Sequence, residues 1–132
     1  MAEAVKLLLD THTLLWWAQD TDRLSATARR ALINPRNQVA VSVVSVWELV
    51  IKESLGRIAI EGGAQALAAS IIASQFAEIL DVTLSDVMEW GTLPPVHRDP
   101  FDRLLIAQAV GRRLTLVSCD RAFTEYPVGL LW

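Results

Sequence analysis

The sequence predicts an α/β fold, a three-layer α/β/α sandwich built on a central, mainly parallel sheet, and three observations carry that reading. Short apolar runs such as VKLLLD and LTLVSCD alternate with longer stretches of helical periodicity. Strands separated by helices pair in parallel through crossover connections, which cover both faces of the sheet. Both runs also end in aspartate, and in such sheets functional groups gather beyond the carboxyl ends of the strands. The whole chain, 1–132, is expected to form a single domain large enough to bury a core without disulfides.

Taken in order, VKLLLD reads as a buried strand ending at Asp10, and THTLLWWAQD turns helical. LSATARRALINP is a second helix, with Ser25 as its N-cap and Pro35 as its stop. QVAVSVV has the β-branched alternation of a strand. In SVWELVIKESLGRI, Trp47, Val50, Ile51 and Leu55 recur at helical spacing, and Gly56 sits where a C-terminal cap belongs.

GGAQALAASIIASQFA is an alanine-rich helix, EILDV a short strand, and LSDVMEWGTL a helix capped by Ser85 and ended by Pro94 and Pro95. HRDPFDRLLIAQAVGRR is the clearest helix, with Asp99 as N-cap, Pro100 at the first helical position and Gly111 near the end. LTLVSCD is then a strand ending at Asp120, RAFTEY one more helical turn, and VGLLW a last strand.

Composition narrows the function. A lone cysteine, Cys119, cannot make an internal disulfide, and the first thirty residues lack signal-peptide architecture, so a reducing, cytoplasmic setting is expected. No apolar run approaches the roughly 20 residues of a membrane span. The net charge of -3 argues against nucleic-acid binding by a broadly basic face. It leaves room for an acidic site whose bound metal, helped by local arginines, receives phosphates.

The acids supply such a site. Asp10 and Asp120 end two strands, Glu48 lies in the first turn of the helix after QVAVSVV, and Asp99 and Asp102 open the long helix. A parallel sheet brings these elements to one rim. Each acid also has a local explanation: Ser45-Val46-Trp47-Glu48 matches a capping box, and Asp99 and Asp102 suit a helix start, each contributing about 0.3 to 1 kcal/mol through the helix dipole. Capping alone does not require them to share an edge, and packed carboxylates repel unless a cation intervenes. An oxygen-only donor set suits Mg²⁺, for which Mn²⁺ substitutes, and disfavours zinc. A carboxylate rim holding one or two such ions is an arrangement that hydrolyses phosphodiesters.

LLLDTHTLLWW, SVVSVWELVIKESLGRI, HRDPFDRLLIAQA and TLVSCD together resemble, in order and spacing, the PIN-domain ribonucleases, and among them the toxin component of VapBC-type toxin-antitoxin modules. The resemblance spans almost the whole chain. It implies a PIN-like sheet, metal-dependent endonuclease cleavage of RNA, a homodimer, and inhibition by a cognate antitoxin that lays apolar segments into grooves. By position, Asp10, Glu48 and Asp102 match the family's most constant acids and Asp120 a more variable fourth. The expectation is that Asp10 and Asp102 bind metal directly and that Glu48 and Asp120 do so directly or through water. Asp99 is expected mainly as the cap ahead of Pro100, with a supporting role behind the ligands as the alternative.

Thr11 and Thr13 can orient a ligand, or Thr13 can cap the helix itself. Arg98, Arg103 and Arg121 flank the site and suit RNA phosphates, with pairing to neighbouring acids as the alternative. His12 and His97 lie beside motif acids, where surface or capping positions are the ordinary assignment. Arg112 and Arg113 suit the negative end of their helix. Cys119, Trp47 and Trp90 are assigned to the core, and the adjacent Trp16 and Trp17 cannot both face it well.

Three other functions compete. A receiver-like signalling domain needs a lysine on a later strand, yet the only lysines are Lys6 and Lys52. A haloacid-dehalogenase-type phosphatase normally carries a second aspartate where His12 stands. A catalytically inactive PIN fold that binds RNA or protein would not need all four acids.

Overall fold

The computed structural model describes residues 4–96 and 99–132. Five parallel strands form the sheet: β1 (Lys6–Leu9), β2 (Gln38–Ser42), β3 (Ala77–Leu80), β4 (Thr115–Val117) and β5 (Leu130–Leu131), in the order β3-β2-β1-β4-β5. β1 lies at the centre, Leu8 pairing with Ala40 on one side and Leu116 on the other. A strand buried on both faces is apolar at every position. Leu7, Leu8 and Leu9 are all fully buried, which explains the run of leucines.

The chain first winds outward through β2 to β3, then returns to the other side of β1 through β4 to β5. The reversal puts a crevice at the carboxyl ends of β1 and β4, where open α/β sheets hold their ligands.

The helices are α1 (Thr11–Gln19), α2 (Ala26–Ile33), α3 (Val43–Ser54), α4 (Gly63–Ser74), α5 (Leu84–Thr92) and α6 (Pro100–Arg112). Side-chain alternation divides the core into two layers. Leu7, Leu9, Val39, Val41 and Val117 meet Leu14 of α1, Ala28 and Leu32 of α2, Leu49 of α3 and Ile71 of α4. Leu8, Ala40 and Leu116 meet Leu105, Ile106 and Ala109 of α6, with Val44 of α3. These are the two helical layers of the expected sandwich.

Several boundaries differ from the sequence reading. QVAVSVV ends as a strand at Ser42, whose hydroxyl accepts from Val44 N–H at 3.1 Å and starts α3. Val43 and Val44 are therefore helical despite β-branching, because tertiary burial of Val44 overrides local propensity. Ser45 is inside the helix rather than its cap, and Glu48 stands in the second turn. α5 is capped by Thr83 instead of Ser85, in a reciprocal box with Asp86. β4 stops at Val117, so Asp120 lies beyond it and caps a 3₁₀ turn over Arg121–Glu125. Trp47 is 58% exposed and Cys119 is exposed, so neither belongs to the core.

Two polar clamps tie α5 to α6. Buried Asp86 accepts from Arg112 Nη2 at 2.7 Å and from Gln108 Nε2 at 3.1 Å. Burial pushes its carboxyl up, but hydrogen bonds from Arg112, Thr83 N–H and Gln108 overcome this and hold it at about 2. Arg103 is buried with its guanidinium 4.3 Å over the Trp90 ring, donating to the carbonyls of Pro94 at 2.9 Å and Trp90 at 3.2 Å. A cation at the carbonyl end of α5 also meets the negative end of that helix.

Asp86→Ala should cost about 3 kcal/mol in urea unfolding by orphaning Arg112 and Gln108. The folded carboxyl takes its proton near 2 and the unfolded one near 4. The wild type should therefore lose stability as pH falls from about 4 towards 2, and Asp86→Asn should flatten that part of the profile. Arg103→Ala should cost a similar amount, about 2 to 4 kcal/mol, because it takes a buried donor from the carbonyls of Trp90, Leu93 and Pro94 and removes the cation from the Trp90 face.

Candidate active site

Three of the rim acids are fixed by local backbone bonds. Asp10 follows β1 and caps α1, its Oδ1 accepting from Thr13 N–H at 2.8 Å, and it is buried. Asp99 caps α6, its Oδ1 accepting from Phe101 N–H at 2.9 Å and Asp102 N–H at 3.4 Å. Asp120 accepts from Ala122 N–H at 3.0 Å through Oδ1. A cap occupies one carboxylate oxygen and steers the other, so capping and a second role are compatible.

Glu48 is held by side chains instead. Its Oε1 accepts from the Thr11 hydroxyl at 2.8 Å, and its Oε2 pairs with Lys52 Nζ at 2.8 Å, four residues on along α3. Thr11 also lies 3.3 Å from Ser45 Oγ. Thr13 does not cap the helix by its side chain: its hydroxyl donates to Val117 carbonyl at 2.9 Å, fastening α1 to β4. Lys52 was not singled out from the sequence as a site residue, and Ser45 was read there only as a helix cap. The signal was present for Lys52, since Glu followed by Lys at i+4 is the favourable helical order.

Asp102 registers the convergence. Its carboxyl is pushed up to about 7, first by burial and then by the charges of Asp99, Glu48, Asp10 and Asp120. The parallel sheet thus brings together all five acids singled out in the sequence. Among the described residues no three such side chains already stand at cation-ligating spacing. The donor set is nevertheless oxygen-only, and a neutral-pH carboxylate destabilised by four others fits a hard divalent cation. Both Glu48 oxygens are engaged, so its access to a cation runs through release of Lys52 or through water.

The flanking residues sort differently. Arg103, expected at RNA phosphates, is turned inward and buried because the helix end and Trp90 supply its partners. Arg121 is exposed at the start of the 3₁₀ turn after Asp120. Arg98 and His97 lie outside the described residues. Arg112 serves α5 through Asp86, and Arg113 adopts a left-handed φ of 58° as the C-cap of α6. The exposed Cys119 thiol is pushed up by partial burial and by Asp10 and Asp120, which keeps it protonated.

Beside the acids, Trp47, Val87, Trp90, Pro100, Phe101 and Leu104 line an apolar cleft of about 260 Å³ between α3, α5 and α6. Trp47 meets Phe101 edge to face at 4.8 Å.

Comparison with known proteins agrees with this arrangement. The PIN domain family model matches residues 7–129. Ribonuclease VapC22 of Mycobacterium tuberculosis is 32% identical over 126 residues, covering 91% of each chain. VapBC2 from Rickettsia felis, in a crystal structure with a DNA fragment from its promoter, superposes with a TM-score of 0.72 at 18% identity, over 96% of this chain and 97% of that one. FitAcB from Neisseria gonorrhoeae gives 0.65 at 17% identity, over 94% and 95%. At those identities the structural likeness is one of fold. With the family model spanning nearly the whole chain and the curated relative aligned along its length, the chain belongs to the PIN-domain family.

Proposed function

We propose that the chain is a VapC-type toxin endoribonuclease that hydrolyses RNA phosphodiester bonds at the acidic rim and is held inactive by a cognate antitoxin. The observation that carries this reading is the convergence of Asp10, Glu48, Asp99 and Asp120 on Asp102, in a chain that aligns over 91% of its length with a ribonuclease of the same family. The setting is the cytoplasm, in keeping with the absence, among the described residues, of any helix long and apolar enough to cross a membrane.

Asp10 and Asp102 would hold the metal directly, and Glu48 and Asp120 would hold it directly or through water. Mg²⁺, or Mn²⁺ in its place, would supply an activated water there and would neutralise charge on the phosphate. The chain's own contribution is positioning. Asp10 is fixed by the α1 cap, Asp102 by the start of α6, and Thr11 orients Glu48. Lys52 balances the Glu48 charge. Exposed Arg121 meets a phosphate of the RNA, paired hydrogen bonds suiting guanidinium to that group. Asp99 starts α6 and adds negative charge beside Asp102, joining the cap to a supporting role.

The proposed partners are a second copy of the chain and the antitoxin. Both need apolar surface, and Trp47, Val50, Val87 and Met88 on α3 and α5 are exposed. The VapBC complexes from Rickettsia felis and nontypeable Haemophilus influenzae, which share this fold, support an antitoxin as partner.

The deciding experiment is cleavage of fluorogenic single-stranded RNA by purified, antitoxin-free protein with Mg²⁺ or Mn²⁺. Cleavage should vanish with EDTA and fall at least about 100-fold in Asp102→Asn. Well-folded protein that binds RNA without cutting it, on total cellular RNA as well, would favour the inactive PIN-fold module instead. A second prediction separates stability from activity. The unfolded chain ionises Asp102 near 4 and the folded chain near 7, so metal-free protein should lose stability as pH rises from about 4 to 7. Asp102→Asn should abolish that slope and raise Tm at pH 7.5 while removing cleavage, and added Mg²⁺ should raise the Tm of the wild type only.

A further inference from the structure

An aromatic cluster stands next to the acids and takes no part in the site described so far. His12 is exposed on the first turn of α1, two residues beyond Asp10. Its ring lies 5.7 Å from that of Trp16, one turn further along the same face, at an interplanar angle of 39°. Trp16 in turn lies 5.9 Å from Trp132, which follows β5, and the Arg23 guanidinium sits 5.6 Å from the Trp16 ring centre. Since β5 runs parallel to β4 and β1, Trp132 stands past the same carboxyl edge as Asp10 and Asp120.

Trp16 and Trp132 are half-buried, and Trp16 packs against the core, so the inner part of the cluster is structural. His12 is different. It caps no helix, since Asp10 fills that place, and it contributes nothing to either core layer. Its imidazole is exposed on the turn that follows Asp10, with the tilted Trp16 ring as its aromatic neighbour.

Aromatic faces joined to cationic side chains are how single-stranded nucleic acid is held without base-pair recognition, because every base offers a π-face. Here the arrangement runs from His12 through Trp16 to Arg23, with exposed Arg121 on the neighbouring loop. We infer that His12, backed by Trp16, forms a stacking subsite for an unpaired RNA base flanking the phosphate at the acidic rim. This rests on the ribonuclease reading above and adds to it a requirement for an unstacked base beside the scissile bond. Duplex RNA, whose bases are stacked internally, cannot fill such a subsite.

The test uses the full chain carrying Asp102→Asn, so that RNA is not consumed, and a fluorescein-labelled 12-nucleotide single-stranded RNA. Affinity is read by anisotropy alongside an oligonucleotide of the same length made of abasic ribose phosphates. His12→Ala should weaken binding of the base-containing RNA about 10-fold, His12→Phe should restore it, and neither should change binding of the abasic strand. Equal affinity for His12→Ala and His12→Phe on both strands would overturn the stacking subsite while leaving the nuclease reading intact. Equal losses for both variants, on the abasic strand too, would make the imidazole a phosphate contact and overturn stacking as well. An otherwise wild-type protein that neither cuts nor binds any RNA would remove the ribonuclease reading, and this subsite with it.

Discussion

Five carboxylates are held near one another against their own repulsion, and most of what is unusual about this molecule follows from that. Asp102 carries the strain most visibly, since burial and four neighbouring charges all act on its carboxyl in the same direction. A group so placed works against folding at neutral pH unless something positive joins it. The rest of the molecule must supply the stability that the rim withholds, and it does so through a sheet whose central strand is sealed on both faces.

The fold manages this by separating the task of placing each acid from the task of using it. Backbone amides at helix starts grip Asp10, Asp99 and Asp120 by one oxygen, where the helix dipole also favours negative charge. Glu48, lying deeper in its helix, has no free amide to use and is held by Thr11 and Lys52. Behind the rim, the clamps at Asp86 and Arg103 fix α5 against α6, and α6 carries both Asp99 and Asp102. The residue after Asp102 therefore points into the structure while Asp102 itself faces the other acids.

How much of this was legible in the sequence depended on the range of the interactions. The α/β order, the Asp99 cap and the Pro100 start are local signals, and the structure has them where the sequence placed them. The convergence of the acids was also legible, because strand ends in a parallel sheet share an edge. The switch from β2 to α3 at Ser42 was not, since Val43 and Val44 carry strand propensity and it is the burial of Val44 in the layer with Leu8 and Ala40 that favours the helix. Arg103 looked like a phosphate contact by its position beside Asp102, and its inward turn depends on carbonyls of Trp90 and Pro94, which no local pattern announces. Trp47 likewise reads as core by spacing but stands open over the cleft formed with Phe101.

The strand order bears on when the molecule acquires its acidic rim. β1 pairs with β4, so Leu8 waits for Leu116, and Asp10 N–H waits for the carbonyl of Val117. Contacts of such long range form late, because the loop between them must close first. On a ribosome the amino-terminal half can fold helices and pair β1 with β2, yet Asp102 and Asp120 have still to be made. An acidic centre drawn from residues as far apart as Asp10 and Asp120 stays unassembled until β4 has been made and has paired with β1.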